Sequence, residues 1–172
     1  MTGNETPDSL RCSVTDELAV CLERLAAAPG GLTGLRVADL GCGSGLLGLA
    51  ALRLGAASAY GADTDSLAVR ATADNAALND LTLPVALGSV EVLAELLENR
   101  PADLLLCNIL APVIEALAPD FSRILSPTGV GLLSGLLVDQ VPTLERALAA
   151  AGWRAELSAQ RDPWGLMTIR RA

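Results

Sequence analysis

Three alternating glycines mark the segment of this sequence best suited to bind a ligand. Gly41, Gly43 and Gly45 follow a short apolar stretch, residues 35–40, and precede a helix-favouring stretch, residues 46–54. The pattern predicts a buried strand, a turn nearly free of side chains, and a helix. Such a unit brings backbone N–H groups and a helix N-terminus against a ligand.

The residues around this turn indicate which kind of ligand it binds. Residues 43–48 match G-x-G-x-x-G, the dinucleotide pattern, and Asp63 lies where an acid that binds ribose hydroxyls is expected. Asp39, two residues before Gly41, would repel a diphosphate and attract a cation. S-adenosylmethionine carries an ammonium and a sulfonium, so the sequence favours this methyl donor over a nicotinamide or flavin nucleotide.

The elements that position this turn belong to a chain of one-domain size. The chain has 172 residues, the size of one domain. We expect a flexible N-terminal tail over residues 1–12 and a single domain over residues 13–172. Apolar residues make up 51% of the chain but aromatic residues only 2%. The core must therefore be built from Leu, Ala and Val, which favours helices packed on a sheet.

The titratable residues exclude several kinds of chemistry. The sequence has no His, which removes the commonest general base. Cys12, Cys21, Cys42 and Cys107 stand far apart, without the paired spacing of a zinc site. We therefore expect no metal, and we expect the thiols to be free in a reducing compartment.

Charge and hydropathy limit the partners. The net charge is −8 and all 12 basic residues are scattered arginines, so nucleic acid is disfavoured as a partner. An acidic surface attracts a basic protein or an amine instead. No uncharged apolar run is long enough for a membrane helix, and the polar first residues do not resemble a signal peptide. We expect a cytoplasmic protein; the sequence indicates no oligomeric state.

Predicted strands and helices alternate through most of the chain. The expected strands are residues 35–40, 57–61, 84–88, 103–108, 130–134, 153–159 and 165–170. The expected helices are residues 14–28, 46–54, 67–78, 89–99, 112–125 and 139–151. This order predicts an α/β fold, a Rossmann-like three-layer sandwich whose seven-stranded sheet is mostly parallel and ends in an antiparallel hairpin.

Particular residues should end or join these elements. Asp65 or Ser66 is expected to cap the third helix, and Ser89 the fourth. Residues 126–129 are expected to form a turn, and residues 160–164 the loop of the hairpin. In such sheets ligands bind beyond the carboxyl ends of the strands, which is where Asp63 and Asn108 are expected.

With these elements in place, the chain resembles the class I S-adenosylmethionine-dependent methyltransferases. More narrowly it is similar to the PrmA family, which methylates amino groups of a large-subunit ribosomal protein. The segments that carry the resemblance are residues 37–45, 51–56, 61–65, 75–79, 108–111, 125–129 and 133–135, with Trp164. Two family features differ here. We expect the 172 residues to leave no room for the family's separate N-terminal domain, so the chain is either a fragment or a stand-alone relative with another substrate, and only residues 2–9 faintly echo the loop that closes over the donor.

The resemblance implies a role for each matching position. The glycine turn would lie under the methionine and ribose of the donor, Asp63 would bind the ribose hydroxyls, and Ser89 is one of the groups that could hold the adenine. Asn108 would lie beside the transferring methyl group and act as the catalytic residue. The full expected donor-binding set is Asp39, Gly41, Cys42, Gly43, Gly45, Asp63, Thr64, Ser89 and Asn108.

Together, residues and resemblance predict methyl transfer to an amine, either of a protein or of a small molecule. Asn108 could accept an N–H of the amine and direct its lone pair at the methyl group. Two alternatives stay open. One is an NAD(P)-dependent oxidoreductase, although only Tyr60, inside a strand, could serve hydride transfer. The other is a non-catalytic binding module of the same fold. Trp164 is expected to be a buried loop anchor or a wall of the acceptor pocket.

Overall fold

A computed structural model of the chain describes residues 13–172. The expected tail at residues 1–12 therefore lies outside the described residues. The same holds for Cys12 and for residues 2–9, the echo of the family's closing loop.

Strands and helices alternate as the sequence predicts. The helices are α1 (Ser13–Ala27), α2 (Leu46–Arg53), α3 (Ser66–Leu78), α4 (Val90–Leu96), α5 (Ala111–Leu117) and α6 (Val141–Ala150). The strands are β1 (Arg36–Leu40), β2 (Ser58–Asp63), β3 (Val85–Leu87), β4 (Ala102–Asn108), β5 (Leu125–Leu137), β6 (Trp153–Arg161) and β7 (Trp164–Arg171). Short 3-10 helices cover Ala118–Arg123 and Val138–Gln140.

The seven strands form one sheet in the order β3-β2-β1-β4-β5-β7-β6. Strands β1 to β5 are parallel, whereas β7 is antiparallel to both β5 and β6. The predicted fold class, with its terminal hairpin, is confirmed. Because β1 to β5 run the same way, the residues that follow them all lie at one edge of the sheet, called here the carboxyl edge.

Two apolar clusters cover the two faces of the sheet. Helices α1 to α3 pack on one face, where Leu18, Leu22 and Leu47 are buried. Helices α4 to α6 pack on the other, with Leu93, Ile114 and Leu144 buried. Successive strand residues alternate between the two faces, as Val37 and Ala38 do, because side-chain direction in a strand has a period of two. The result is the expected three-layer sandwich.

Strand β5 differs from its prediction. Its range is Leu125–Leu137, longer than the predicted strand at residues 130–134, and it includes the turn predicted at residues 126–129. Leu125 pairs with Ala102, and an irregularity before the next pair absorbs the extra residues. Gly129 lies so close to the neighbouring strand that an added Cβ would be 2.9 Å from the Asp103 carbonyl oxygen. Residues 126–129 therefore lie opposite the single residue Asp103 and leave the ladder as a bulge, so the chain turns there as predicted before it re-enters the strand at Val130.

Several element ends also differ. Helix α5 ends at Leu117 because Pro119 has no N–H to continue the α-helical pattern, and the 3-10 helix follows. Helix α4 ends at Leu96, before Glu98 and Asn99, which both have positive φ. Strands β6 and β7 are separated only by residues 162–163, a tighter connection than expected. Among the described helices, none has both the length and the apolar character needed to cross a membrane.

Candidate active site

The glycine turn joins β1 to α2 at the carboxyl edge of the sheet. Gly41, Gly43 and Gly45 have φ angles of 71°, 57° and 79°, a left-handed backbone that favours glycine. Close packing adds a second requirement at Gly45, because a Cβ there would lie 2.8 Å from Cγ2 of Thr72. At Gly41 a Cβ would overlap the side chain of Ile109. The turn thus packs against both α3 and the residue after β4.

Two adjoining cavities lie at this edge, and both are lined by Gly41 and Asn108. The first has a volume of about 240 Å³ and is lined by Leu40, Gly41, Asp63, Thr64, Ser89, Asn108, Ile109, Val113 and Leu117. The second has a volume of about 210 Å³ and is lined by Gly41, Cys42, Gly43, Ser44, Leu46, Leu47 and Asn108. Residues from β1, β2, β4 and the start of α4 therefore converge on one place.

The cavities contain most of the residues that the sequence singled out. Seven of them line one cavity or the other: Gly41, Cys42, Gly43, Asp63, Thr64, Ser89 and Asn108. Asp39 and Gly45 line neither of these two cavities. Asp39 lies fully buried in β1, and Gly45 packs against Thr72. Trp164 lines neither cavity either; it is half-buried in β7, where it pairs with Leu137 of β5.

Asp63 ends β2 and holds the glycine turn. Its Oδ2 accepts a hydrogen bond of 2.9 Å from the backbone N–H of Gly43, and its Oδ1 accepts one of 2.9 Å from that of Asp65. Each carboxylate oxygen can accept a further bond. Asp63 is half-buried and lines the first cavity, so its carboxylate can bind hydroxyl groups there while it also supports the turn.

Asp39 is fully buried beneath α2. Its Oδ2 accepts a 2.9 Å hydrogen bond from the backbone N–H of Gly48, and within residues 13–172 its Oδ1 has no partner. Burial raises the pKa of Asp39 from 3.8 to about 7; the Gly48 bond lowers this pKa, and the charge of Asp63 raises it. A cation near Oδ1 would favour the ionised carboxylate.

The thiols near the site are held in the protonated form. Burial raises the pKa of Cys42 to about 11, although a 3.5 Å contact with Thr72 Oγ1 opposes the shift. Burial also raises the pKa of Cys107, and the charge of Asp39 adds to the effect. Both cysteines therefore behave as small apolar side chains rather than as nucleophiles. In the described part of the chain, no group of His, Cys, Asp or Glu side chains could hold a metal ion.

Helix α3 supports the turn from behind, through contacts that the sequence did not indicate. Thr72 Oγ1 donates a 2.9 Å hydrogen bond to the carbonyl oxygen of Gly43. Asn75 Nδ2 donates one of 2.9 Å to the carbonyl oxygen of Ser44. The two donors are three residues apart and so lie on one face of the helix. The sequence indicated Asn75 only as the first residue of the segment 75–79, which resembles the family. Its hydrogen bond to the turn could not be predicted, because the local sequence does not indicate which distant carbonyl group a helix side chain contacts.

The caps of α3 and α4 have different outcomes. Asp65 caps α3 as predicted, since its Oδ1 accepts a 2.8 Å bond from the N–H of Leu67. Ser89 occupies the N-cap position of α4, but its side chain makes no capping bond to the described helix. The predicted capping role of this side chain is therefore wrong. The backbone of Ser89 has φ −125° and ψ −141°, and the residue lines the first cavity.

Asn108 ends β4 and lines both cavities. It pairs in register with Ser134 of β5, and its Oδ1 lies 3.0 Å from the Cβ position of Gly135. Gly135 has φ +80°, so glycine both permits this backbone and leaves room for the Asn108 side chain. Ser134 is fully buried, and among the described residues its Oγ has no partner.

The lining residues fit the three chemical parts of S-adenosylmethionine. Asp63, Thr64 and Ser89 offer oxygen atoms to hydroxyl and amino groups, whereas Ile109, Val113 and Leu117 form an apolar wall suited to a base. The glycine turn lines the second cavity and leaves room for an extended amino-acid chain. Asp39 is buried and lines neither cavity, so its carboxylate could favour a cationic ligand only through its charge and not by contact.

The fold, with its cavities at the carboxyl edge, is the Rossmann-like fold of the methyltransferases. The solved structure of ribosomal protein L11 methylase from Lactobacillus delbrueckii subsp. bulgaricus matches 91% of this chain and 78% of that chain, with a TM-score of 0.76 and 32% identity. Magnesium protoporphyrin IX methyltransferase from Synechocystis PCC 6803, solved with bound SAM, shares the fold at a TM-score of 0.76 and 18% identity; the match covers 100% of this chain and 86% of that chain.

The family follows from the sequence comparisons. The family model described as Ribosomal protein L11 methyltransferase (PrmA) matches residues 17–172, and the chain belongs to this family. It is 62% identical over 156 residues to the ribosomal protein L11 methyltransferase of Parasynechococcus marenigrum, covering 88% of this chain and 53% of that relative. The relative from Synechococcus sp. (strain RCC307) is 59% identical, with 89% and 51% covered. The chain spans about half the length of these curated relatives.

Proposed function

We propose that the chain is the catalytic part of an S-adenosylmethionine-dependent methyltransferase that acts on a protein amine. The observation that carries the proposal is the convergence of the Asp63 carboxylate, the glycine turn and Asn108 on two adjoining cavities. Membership of the family supports the same reaction. A ribosomal protein as acceptor would place the activity in the cytoplasm.

In this proposal each group of lining residues binds one part of the donor. Asp63 would accept hydrogen bonds from the ribose hydroxyls, and the wall of Ile109, Val113 and Leu117 would contact the adenine. Ser89 and Thr64 lie at the polar side of the same cavity. The glycine turn would hold the methionine end of the donor, and the buried Asp39 would act on its positive charge only through the field of its carboxylate. Asn108 would be near both parts of the donor, because it lines both cavities.

The chain's own contribution to the reaction is positioning. The bound donor supplies a methyl group on a positively charged sulfur. Asn108 Oδ1 accepts an N–H of an uncharged amine and so directs the nitrogen lone pair at the methyl carbon. Gly135 on the neighbouring strand leaves the space that the Asn108 side chain occupies. Holding the reacting atoms in line and away from water can lower the barrier by several kcal/mol without a strong base.

Two observations support a protein amine as the acceptor: the names of the curated relatives and the net negative charge of this chain. The curated relatives are named for ribosomal protein L11, and a lysine or N-terminal amine of such a protein supplies the nitrogen. The net charge of −8 attracts a basic protein to this chain. A small-molecule amine is the other acceptor that the cavities would admit.

The oxidoreductase alternative is not favoured. Tyr60, the residue that would have to serve hydride transfer, lies inside β2 with the Arg36 guanidinium 5.4 Å from its ring centroid. It lines neither of the two cavities at the carboxyl edge.

Calorimetry with two nucleotides tests the proposal. We expect S-adenosylhomocysteine to bind the chain and NAD to give no heat of binding. Binding of NAD alone would instead support the oxidoreductase. Incubation with ribosomal protein L11 and methyl-labelled donor then tests the acceptor, and label should enter the protein.

Asn108→Ala tests the catalytic assignment. We expect turnover at saturating donor to fall by about 10²-fold, because orientation of the amine is lost, and the Kd for S-adenosylhomocysteine, measured separately, shows how much of any loss at lower donor concentration comes from binding. Asn99→Gly is the matched control, since Asn99 is exposed and glycine adopts its positive φ freely. Unchanged turnover in Asn108→Ala would remove Asn108 from the mechanism.

A further inference from the structure

The buried hydroxyl group of Ser134 lies next to the site and has no partner that explains it. Ser134 is fully buried in β5, and among residues 13–172 its Oγ makes no hydrogen bond. A buried hydroxyl without a partner is unfavourable, because it has lost its hydrogen bonds to water. An alanine side chain would occupy the same place without this cost, so the hydroxyl itself calls for a role.

Ser134 and Asn108 stand side by side on one face of the sheet. The two residues pair in register across the parallel strands β4 and β5. Leu106 and Leu132, two residues earlier in each strand, both lie in the cluster beneath α1 to α3. Because side-chain direction in a strand has a period of two, Asn108 and Ser134 leave the sheet on that same face.

The neighbour of Asn108 on the other side has no side chain. There Leu40 of β1 pairs with Cys107, and the residue that follows Leu40 is Gly41. Gly41 lines both cavities together with Asn108, whereas Ser134 lines neither. Ser134 is therefore the in-register neighbour that can offer the Asn108 amide a hydrogen-bond acceptor.

The orientation of the Asn108 amide decides what it can do for an amine. Its Oδ1 accepts an N–H, but half a turn about the Cβ–Cγ bond presents the Nδ2 donor instead. In the structure Oδ1 lies on the side of β5, 3.0 Å from the Cβ position of Gly135. A positively charged donor in the cavities would attract Oδ1, the negative end of the amide dipole. Nδ2 then turns towards β5, where it needs an acceptor.

We infer that Ser134 is a positioning residue that holds the Asn108 amide in its productive orientation. Ser134 Oγ accepts a hydrogen bond from Asn108 Nδ2 when the donor is bound, and Oδ1 is then free to accept the N–H of the amine. The inference rests on the proposed function and deepens it, because it names the group that selects between the two amide orientations. Ser134 acts on turnover through Asn108, since it lines neither cavity.

A double-mutant cycle tests whether Ser134 acts through Asn108. Turnover is measured at saturating donor, with ribosomal protein L11 as the acceptor, in the unchanged chain, Ser134→Ala, Asn108→Ala and the double variant. We expect Ser134→Ala to lower turnover by about fivefold, the loss that one hydrogen bond accounts for. In the Asn108→Ala background the same substitution should change turnover by less than about twofold, because the amide that it orients is gone.

The Asn108 side-chain amide gives a readout that needs no turnover. Nuclear magnetic resonance of the chain with isotope-labelled asparagine and bound S-adenosylmethionine follows its Nδ2 protons, which are identified by their loss in Asn108→Ala. One of them should exchange with water at least about fivefold faster in Ser134→Ala, because its acceptor is lost.

Ser126→Ala is the matched control. Its Oγ is also buried without a partner among the described residues, but Ser126 lies near the other end of β5. Ser126→Ala should leave both the turnover and the exchange of the Asn108 amide unchanged. Neither serine variant should alter the Kd for S-adenosylhomocysteine, and urea unfolding verifies that each is folded.

Every other result overturns the inference. Equal turnover and equal amide exchange in Ser134→Ala and Ser126→Ala would show that the Ser134 hydroxyl takes no part. An equal fall in turnover with and without Asn108 would mean that Ser134 supports the strand and does not act through the amide. If the unchanged chain binds S-adenosylmethionine and transfers no methyl group, the proposed function fails, and the amide exchange still decides whether Ser134 holds Asn108.

Discussion

At the scale of single residues, the carboxyl group of Asp39 has the most unusual environment in the site. It is fully buried, accepts one backbone hydrogen bond, and has one oxygen without a partner among the described residues. Ionisation of this group is therefore unfavourable unless a cation is present. The difference between pKa values of 3.8 and about 7 corresponds to an ionisation cost of about 4 kcal/mol.

Asp39→Asn should change how stability depends on pH. The folded-state pKa of Asp39 is raised, so its contribution to stability is fully present below pH 3.8 and is lost as the pH rises through about 7. The amide of the substituted side chain cannot ionise, so the variant escapes this loss. We expect the variant to gain about 3 kcal/mol of unfolding free energy relative to the wild type between about pH 5 and about pH 8.

Urea unfolding of both proteins across that range measures the effect. The comparison removes contributions from other carboxyl groups, because the two chains share them. If the two stability curves run parallel, the Asp39 carboxyl does not titrate in this range.

At the scale of elements, α3 does more than cover the sheet. Its Thr72 and Asn75 side chains bind two successive carbonyl groups of the glycine turn, and Thr72 also closes the space beside Gly45. Asp63 binds the same turn from the end of β2. The backbone of the glycine turn therefore depends on contacts from two other elements. Thr72 and Asn75 act as positioning residues, because they touch the turn rather than the cavities.

Thr72→Val and Asn75→Ala should each weaken donor binding. Each substitution leaves a carbonyl group of the turn without its donor, a loss of about 1 kcal/mol that corresponds to about a fivefold higher Kd for S-adenosylhomocysteine. Thr72→Ser keeps the hydroxyl and should bind nearly as well as the wild type. Turnover at saturating donor should be little changed, because Asn108 is untouched.

The control for this test is Asn79→Ala. Asn79 Nδ2 donates to the carbonyl oxygen of Asn75 within α3 and makes no bond to the turn. A rise in Kd equal to that of Asn75→Ala would show that loosening of the helix, and not loss of the turn contact, weakens binding.

At the scale of the whole molecule, the site and the main aromatic contact of the core are separated. Phe121 and Trp153 are fully buried with ring centroids 6.3 Å apart, and Trp153 Nε1 donates a 2.9 Å bond to the carbonyl oxygen of Ala118. Trp153 begins β6 at the edge of the sheet opposite the cavities. Stability and donor binding should therefore respond to different residues.

Phe121→Ala is expected to lower the unfolding free energy by about 3–5 kcal/mol, because it leaves a cavity in a fully buried cluster. The exposed Leu78→Ala should change it by less than about 0.5 kcal/mol. Chemical unfolding measures both, and calorimetry at a temperature where the variant is folded should give an unchanged Kd for S-adenosylhomocysteine. A weakened Kd in folded Phe121→Ala would mean that the core and the site are coupled.

The sequence predicted the unit of β1, turn and α2 because its signals are local. Glycine tolerates a left-handed backbone, and apolar residues favour a buried strand. The cap of α3 is local too, because Asp65 directly precedes the helix and bonds the N–H of Leu67. The alternation of elements then determined the sheet. The expected donor-binding and catalytic roles of the nine site residues remain predictions for the variants above.

The sequence by itself determined the order of elements and the fold class, because these depend on residues that are neighbours in the chain. It also determined that Asp63 and Asn108 lie at one edge of the sheet, because both follow parallel strands. Tertiary structure decided the length of β5, the burial of Asp39, the free side chain of Ser89 and the support from Thr72 and Asn75. Each of these depends on which distant backbone groups come within hydrogen-bond distance, and no short segment encodes that.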